Sequence, residues 1–267
     1  MIARHLFVVT DIEGVAGVSD WSQTRNRGPA LERARRLLTD EINAFVRGIH
    51  LAADRARLEA PAITVWDGHG CGGTDFEGID PRVSKHRYDD PRGFPGLLDL
   101  ALTATPPADA LTFVGQHAME GSGGNLAHTY SSRRVRRHLL NGREIGEFGT
   151  RTLHAWALGL PTLFISGDDV ACEEARALVP GIVRACVKRS IGVTQAAPRS
   201  HEDACELISS LAEKILLLDL AAPELAPTFC PTAPFDYHVV KKPRLGLLPR
   251  RDVRLRGDDL LELLRRV

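Results

Sequence analysis

The strongest constraint in this chain is a recurring unit: a short apolar, β-branched run that breaks off at an acid or a histidine. Residues 6–10 (LFVVT) run directly into Asp11-Ile12-Glu13-Gly14. Residues 62–66 (AITVW) end in Asp67-Gly68-His69-Gly70, and residues 110–115 (ALTFVG) end in Gln116-His117. A fourth run, residues 162–166 (TLFIS), stops at Gly167-Asp168-Asp169. Runs of this length with no polar alternation read as strands buried on both faces. Between the first two, residues 29–55 place Leu31, Ala34, Leu37, Leu38, Ile42, Phe45, Val46 and Ile49 at helical spacing, with Pro29 at the start. That is a long amphipathic helix. Residues 170–179 read as a further helix and 181–187 as a further strand. Strands alternating with helices predict an α/β fold, a mostly parallel sheet flanked by helices.

Two departures from that rhythm matter. Asn141-Gly142, between segments of residues 135–146 that can pair, is a two-residue hairpin signal. After about Ser190 the alternation weakens: an amphipathic helix over 201–218, a connector with Pro223, Pro227, Pro231 and Pro234, a strand over 237–241 and a short helix over 258–267. The expected organisation is a metal-binding α/β catalytic domain over 1–195 and a smaller C-terminal α+β portion over 196–267.

Composition removes several classes. Lys+Arg and Asp+Glu both number 34, so no charge excess points to nucleic acid or a membrane surface as partner. No stretch approaches the roughly 20 apolar residues of a membrane span. The N-terminal apolar run is too short for a signal segment, and acidic residues follow at once. Five cysteines, odd in number and without a C-x-x-C pair, fit a reducing compartment, so a cytoplasmic location is expected. Neither a phosphate-binding G-x-x-x-x-G-K-[ST] nor a dinucleotide G-x-G-x-x-G after the first strand is present.

In open α/β sheets, ligands bind at the carboxyl ends of the strands. Here three strands deliver Asp11 and Glu13, Asp67 and His69, and His117 to that edge, and the hairpin arm returns Glu147. Carboxylates and neutral imidazoles are what zinc and similar divalent ions accept, and such a set has room for two ions sharing a bridging carboxylate. Each piece also has a plain structural meaning. An Asp-x-Glu after a strand caps a helix, Asp-Gly-His-Gly makes a turn, and a histidine at a strand end packs structurally. The joint pattern favours a metal site, because independent strands bring complementary ligand types to one edge. His128, beyond a Gly-rich loop, reads either as a structural buttress or as a proton-transfer group.

At these residues the sequence resembles the zinc-dependent D-aminopeptidase family, metallopeptidases of the dipeptide-permease-operon type. Residues 9–17 (VTDIEGVAG) resemble its opening Asp-x-Glu-Gly-x-x-Gly segment, Asp67-Gly68-His69 its Asp-Ser-His, and Gly115-Gln116-His117-Ala118 its Gly-Tyr-His-Ala. His128 follows His117 by eleven residues, as the family's catalytic histidine does, and residues 141–149 (NGREIGEFG) resemble its Gly-Glu-x-Gly element. The likeness covers roughly residues 5–192; beyond about 195 the chain does not align and is shorter. The resemblance implies an α/β sandwich with a smaller C-terminal domain and two zinc ions per subunit bridged by Asp11. Glu13 and His69 would complete one ion's ligands, and His117 and Glu147 the other's. It implies His128 as the catalytic residue, a decameric ring, and release of N-terminal D-amino acids from short peptides.

The expected chemistry is therefore metal-assisted hydrolysis of a short peptide or small amide. Asp67, Asp168 and Asp169 are expected beside the ligands or on the substrate amine; the alternative for the last two is capping of the following helix. Rival readings are an amidase acting on a non-peptide biosynthetic intermediate and a non-catalytic metal-binding scaffold. Arg133, Arg134, Arg136 and Arg137 form either a solvated face or a recognition element for a carboxylate or phosphate.

Overall fold

The computed structural model describes residues 2–25, 27–244 and 248–266. In chain order the elements are β1 (His5–Thr10), α1 (Ser22–Arg25), α2 (Pro29–Ala56), β2 (Ala62–Asp67), β3 (Ser84–His86), α3 (Gly93–Leu102) and β4 (Ala110–Gln116). The hairpin β5 (Val135–Leu140) and β6 (Arg143–Glu144) leads into α4 (Glu147–Ala157), β7 (Thr162–Asp168), α5 (Asp169–Leu178), β8 (Val183–Gly192) and β9 (Gln195–Pro198). The chain closes with α6 (His201–Ile215), β10 (Phe235–Lys241), β11 (Val253–Gly257) and α7 (Leu260–Leu264). Val267, the end of the expected last helix, lies outside the described residues.

Seven strands form one sheet in the order β3-β2-β1-β4-β7-β8-β9. All neighbours pair in parallel except β9, which turns back antiparallel on β8. The apolar runs of β1, β4 and β7 are buried along their whole length, because helices cover both faces. Aromatic contacts assign the faces. Phe113 of β4 packs on Phe148 of α4, and Phe164 of β7 packs on Phe45 of α2. Phe113 pairs with Ile165, the neighbour of Phe164, so these two rings point to opposite faces. The α2 helix therefore lies on one side, with α6 beside it, and α4 lies on the other.

A second, four-stranded antiparallel sheet has the order β11-β10-β5-β6. Residues on both sides of position 195 contribute to each sheet. The hairpin β5–β6 joins the small sheet, whereas β9 and α6 belong to the large sheet and its helical cover.

Two helices are not legible in the sequence. The stripe of α4 is obscured because Arg151, Thr152 and His154 are buried alongside Phe148 and Leu153. In α3 the segment GFPGLLDLAL opens with glycines and a proline that read as a loop, yet Pro95 sits in the first turn, where a missing N–H costs nothing.

His138 of β5 and His154 of α4 are buried, and among the described residues each has an Nε2 without a hydrogen-bond partner. His138 Nδ1 meets the Tyr237 hydroxyl at 2.5 Å. Burial pushes the pKa of both imidazoles down to about 4. Their unfolded value is near 6.5, so the unfolded chain binds the extra protons first and stability falls as pH drops from 6.5 towards 4. Urea titrations should show a loss of about 2 kcal/mol per histidine by pH 5, and His154→Leu should shrink the pH 7-to-5 difference. An unchanged difference in that variant would contradict the assignment.

Candidate metal centre

Register brings the strand ends level: Thr10 pairs with Asp67 of β2 and with Val114 of β4. The segment after β1 is then stitched to the end of β4 by Asp11 N–H to Val114 O (3.0 Å) and Gly14 N–H to Gly115 O (2.7 Å). Only glycine fits where these backbones cross. A Cβ on Gly115, which has φ +77°, would lie 2.1 Å from Asp11 O, and one on Gly14 would lie 2.2 Å from Gln116 O.

Each remaining side chain has its own local cause. Asp67 accepts hydrogen bonds from the amides of His69 (3.2 Å), Gly73 (2.9 Å) and Thr74 (3.1 Å), which folds the glycine-rich loop and presents the His69 ring. Glu147 is the first residue of α4 rather than the end of an extended hairpin arm. There the positive end of the helix favours a carboxylate. Its Oε1 accepts the Tyr130 amide at 2.5 Å, and its Oε2 lies 3.3 Å from the Arg151 guanidinium.

Five of the expected residues converge. Asp11 sits between two imidazoles, with Oδ1 3.2 Å from His69 Nδ1 and Oδ2 3.4 Å from His117 Nε2. Glu13 Oε2 is 3.0 Å from His69 Nδ1, and Glu147 Oε1 is 3.5 Å from His117 Nε2. Two sets place ligand-capable atoms within 4.8 Å of one another: Asp11, Glu13 and His117; and His117, His128 and Glu147. The His128 ring stacks on His117 with centroids 3.9 Å apart, and its Nε2 lies 3.8 Å from Glu147 Oε1.

The far nitrogen of every imidazole is tied to a backbone carbonyl. His69 Nε2 bonds Thr24 O (2.8 Å), His117 Nδ1 bonds Ala118 O (2.9 Å) and His128 Nδ1 bonds Leu126 O (3.0 Å). Such anchors fix ring orientation and turn the other nitrogen towards the carboxylates, as in metal-ligating histidines. Burial opposes charge on Asp11, yet its histidine partners hold the carboxyl well below the usual range. Burial likewise opposes protonation of His69 and His117, but the carboxylates win and hold both well above the ordinary value. Burial, reinforced by His117, lowers His128 instead. The pocket thus demands positive charge. Among the described residues, Glu13 Oε2 and His117 Nε2 are buried with ion-pair contacts but no hydrogen-bond partner, a need that a divalent cation would satisfy.

Among the described residues, Asp168 and Asp169 form no hydrogen bond or ion pair with the imidazoles, although Asp168 feels the charge of His117. Asp168 caps α5, accepting from Val170 N (3.0 Å) and Ala171 N (3.1 Å), and Asp169 accepts the Ser190 amide at 2.8 Å. Three contributors escape sequence reasoning. Arg151 follows Glu147 by one helical turn, a spacing visible only once α4 is recognised. Tyr130 lends a backbone amide, which no side-chain pattern reveals. Lys188 is buried and donates to Glu13 O, Val18 O and Asn125 Oδ1 at 2.5, 2.5 and 2.8 Å, holding the segment after Asp11 in place. Burial pulls its pKa down to about 8.

An open, mostly parallel sheet with carboxylates and imidazoles gathered at its carboxyl edge defines an α/β fold with a candidate metal centre. Comparison with known proteins narrows the class: the profile of peptidase family M55, described as D-aminopeptidase, matches residues 5–240. The chain belongs to that family. A D-aminopeptidase from Bacillus subtilis (strain 168) is 27% identical over 188 residues, 70% of this chain and 64% of the relative, so the match spans just under two thirds of that protein. Among solved structures, the Zn-dependent D-aminopeptidase DppA from Bacillus subtilis, described as a self-compartmentalizing protease, superposes with a TM-score of 0.79 at 21% identity. The superposition covers 98% of this chain and 94% of that one, a likeness that shows the fold.

The crossing at Gly115 is directly testable. Gly115→Ala should cost on the order of 3 kcal/mol or more in denaturant unfolding and lower metal retention, since Asp11 must move. Wild-type stability and metal content in that variant would contradict this account of how the centre is built.

Proposed function

We propose that the chain is a two-zinc aminopeptidase that releases N-terminal D-amino acids from short peptides. The observation that carries this is the single convergence of Asp11, Glu13, His69, His117 and Glu147, with each imidazole anchored from behind and two buried atoms left for a cation. Asp11 would bridge, since its two oxygens face opposite imidazoles; Glu13 and His69 would hold one ion, and His117 and Glu147 the other. The zinc pair supplies the Lewis acidity that amide hydrolysis needs.

The remaining work falls to the chain. Asp11, Glu13, His69 and Glu147 open into a cleft of about 440 Å³, walled by Arg25, Tyr130, Arg133 and Arg151, a size suited to a short peptide. A neighbouring cavity of about 570 Å³ shares Tyr130 and Arg151 but holds none of the ligand set. His128 reaches the cleft as a neutral imidazole, because burial disfavours its charged form. Its Nε2 takes a proton from the water attacking the scissile carbonyl and returns one to the leaving amine.

One observation favours a second arrangement: His128 Nε2 lies within ligand distance of the His117–Glu147 pair. A single variant separates the two. Replacing His117 or Glu147 with Ala should deplete metal, whereas His128→Ala should retain it and lose about a hundredfold or more in kcat. Metal loss in His128→Ala would make it a ligand, and full activity would remove it from the mechanism. Wild-type enzyme should cleave D-aminoacyl peptides and spare their L-counterparts. Preference for acyl amides without an N-terminal amino acid would favour an amidase instead. A homo-oligomer, a decameric ring, is part of the proposal, and light scattering on the purified protein reads it.

A further inference from the structure

The cleft that receives the ligand side chains also carries guanidinium groups, and these differ in what they face. Arg151 is paired with Glu147, and Arg137 of the basic run is paired with Glu144 at 3.2 Å. Arg134 and Arg136 are exposed on the β5 side and behave as a solvated face. Arg25 and Arg133 both wall the cleft beside Asp11, Glu13 and His128, and among the described residues neither forms an ion pair. Arg25 is nevertheless held in place. Its guanidinium lies flat on the Trp21 ring, 3.5 Å from the centroid, and its Nη2 donates to Ser132 Oγ at 2.5 Å. Trp21 in turn packs edge-on against His128. Burial and the neighbouring Arg133 disfavour charge on Arg25, while Glu13 and Asp20 favour it.

A planar guanidinium preorganised by stacking and one hydrogen bond is the group proteins use for bidentate carboxylate recognition. The polarity of the cleft sets the direction of a bound peptide. The arginines repel an N-terminal ammonium and attract an anion, so the carboxylate end of a bound peptide turns towards them. In a dipeptide the free carboxylate lies one residue beyond the scissile amide, within a Cα step of about 3.8 Å. We propose that Arg25 and Arg133 bind the C-terminal carboxylate of the substrate, making the enzyme selective for dipeptides over longer or amidated chains. This inference rests on the aminopeptidase reading above.

The test compares kcat/KM for D-alanyl-glycine, D-alanyl-glycinamide and D-alanyl-aspartate α-amide on metal-loaded wild type, Arg25→Gln, Arg133→Gln and Arg25→Lys. The free acid should exceed the glycinamide by about ten- to a hundredfold. That ratio should fall towards one in Arg25→Gln and Arg133→Gln and recover in part in Arg25→Lys. Equal rates for acid and amide in wild type would overturn the proposal. Aspartate α-amide cleaved as fast as the free acid would overturn the dipeptide assignment, since a side-chain carboxylate would then serve equally. Calorimetric binding of the reduced-amide isostere of D-alanyl-glycine and of its C-terminal amide keeps the two claims separate. If no peptide is cleaved, the aminopeptidase reading fails. The carboxylate site then stands if the acid isostere binds more tightly and loses that advantage in Arg25→Gln, and it falls if the two isosteres bind alike.

Discussion

Asp11, Glu13 and Glu147 are three carboxylates, each almost wholly buried, within reach of the His69 and His117 imidazoles at the floor of the cleft. Burying one ionised carboxylate without compensation costs several kcal/mol. The surroundings answer with positive charge and dipoles: protonation drawn onto His69 and His117, the Arg151 guanidinium, the Tyr130 amide and the positive end of α4. Even so, among the described residues Glu13 Oε2 and His117 Nε2 have no hydrogen-bond partner. A concentration of negative charge that the protein only partly neutralises is the physical signature of a cation site, and the rest of the arrangement serves to maintain it.

The scaffold maintains it through backbone crossings. Parallel pairing makes three strand ends level, and the absence of side chains at Gly14 and Gly115 lets the loops behind them touch. Lys188 then clamps the segment from Glu13 to Val18 from within the sheet, through carbonyls instead of carboxylates. Functional side chains thus stand on rigid strand ends and a helix N-terminus, while Arg25 and Arg133 stand on a short helix and a turn.

Much of this arrangement is legible in the amino-acid sequence. Each strand that ends in a ligand announces itself by an apolar run followed by a polar break, because a parallel sheet buried on both faces leaves no alternation to confuse the reading. The long helix α2 is equally clear. What stays hidden is hidden for physical reasons. The buried polar residues of α4 erase its stripe, so Glu147 reads as the end of a hairpin arm and its partner Arg151 goes unseen. The expectation that Asp168 and Asp169 stand beside the ligands gives way to capping contacts: Asp168 Oδ1 accepts two amides of α5 and Asp169 Oδ1 accepts the Ser190 amide of β8. Arg25 and Arg133 are far apart in sequence, and only the fold shows that they share a cleft.

The central claim is a two-ion centre that depends on one bridging carboxylate. Elemental analysis of zinc-reconstituted wild type and Asp11→Ala, each with folding verified by circular dichroism, tests it most directly. The account predicts two zinc ions per wild-type chain and near-complete loss of both in Asp11→Ala. A folded wild-type chain that binds no stoichiometric zinc, or an Asp11→Ala chain that keeps both ions, would contradict it.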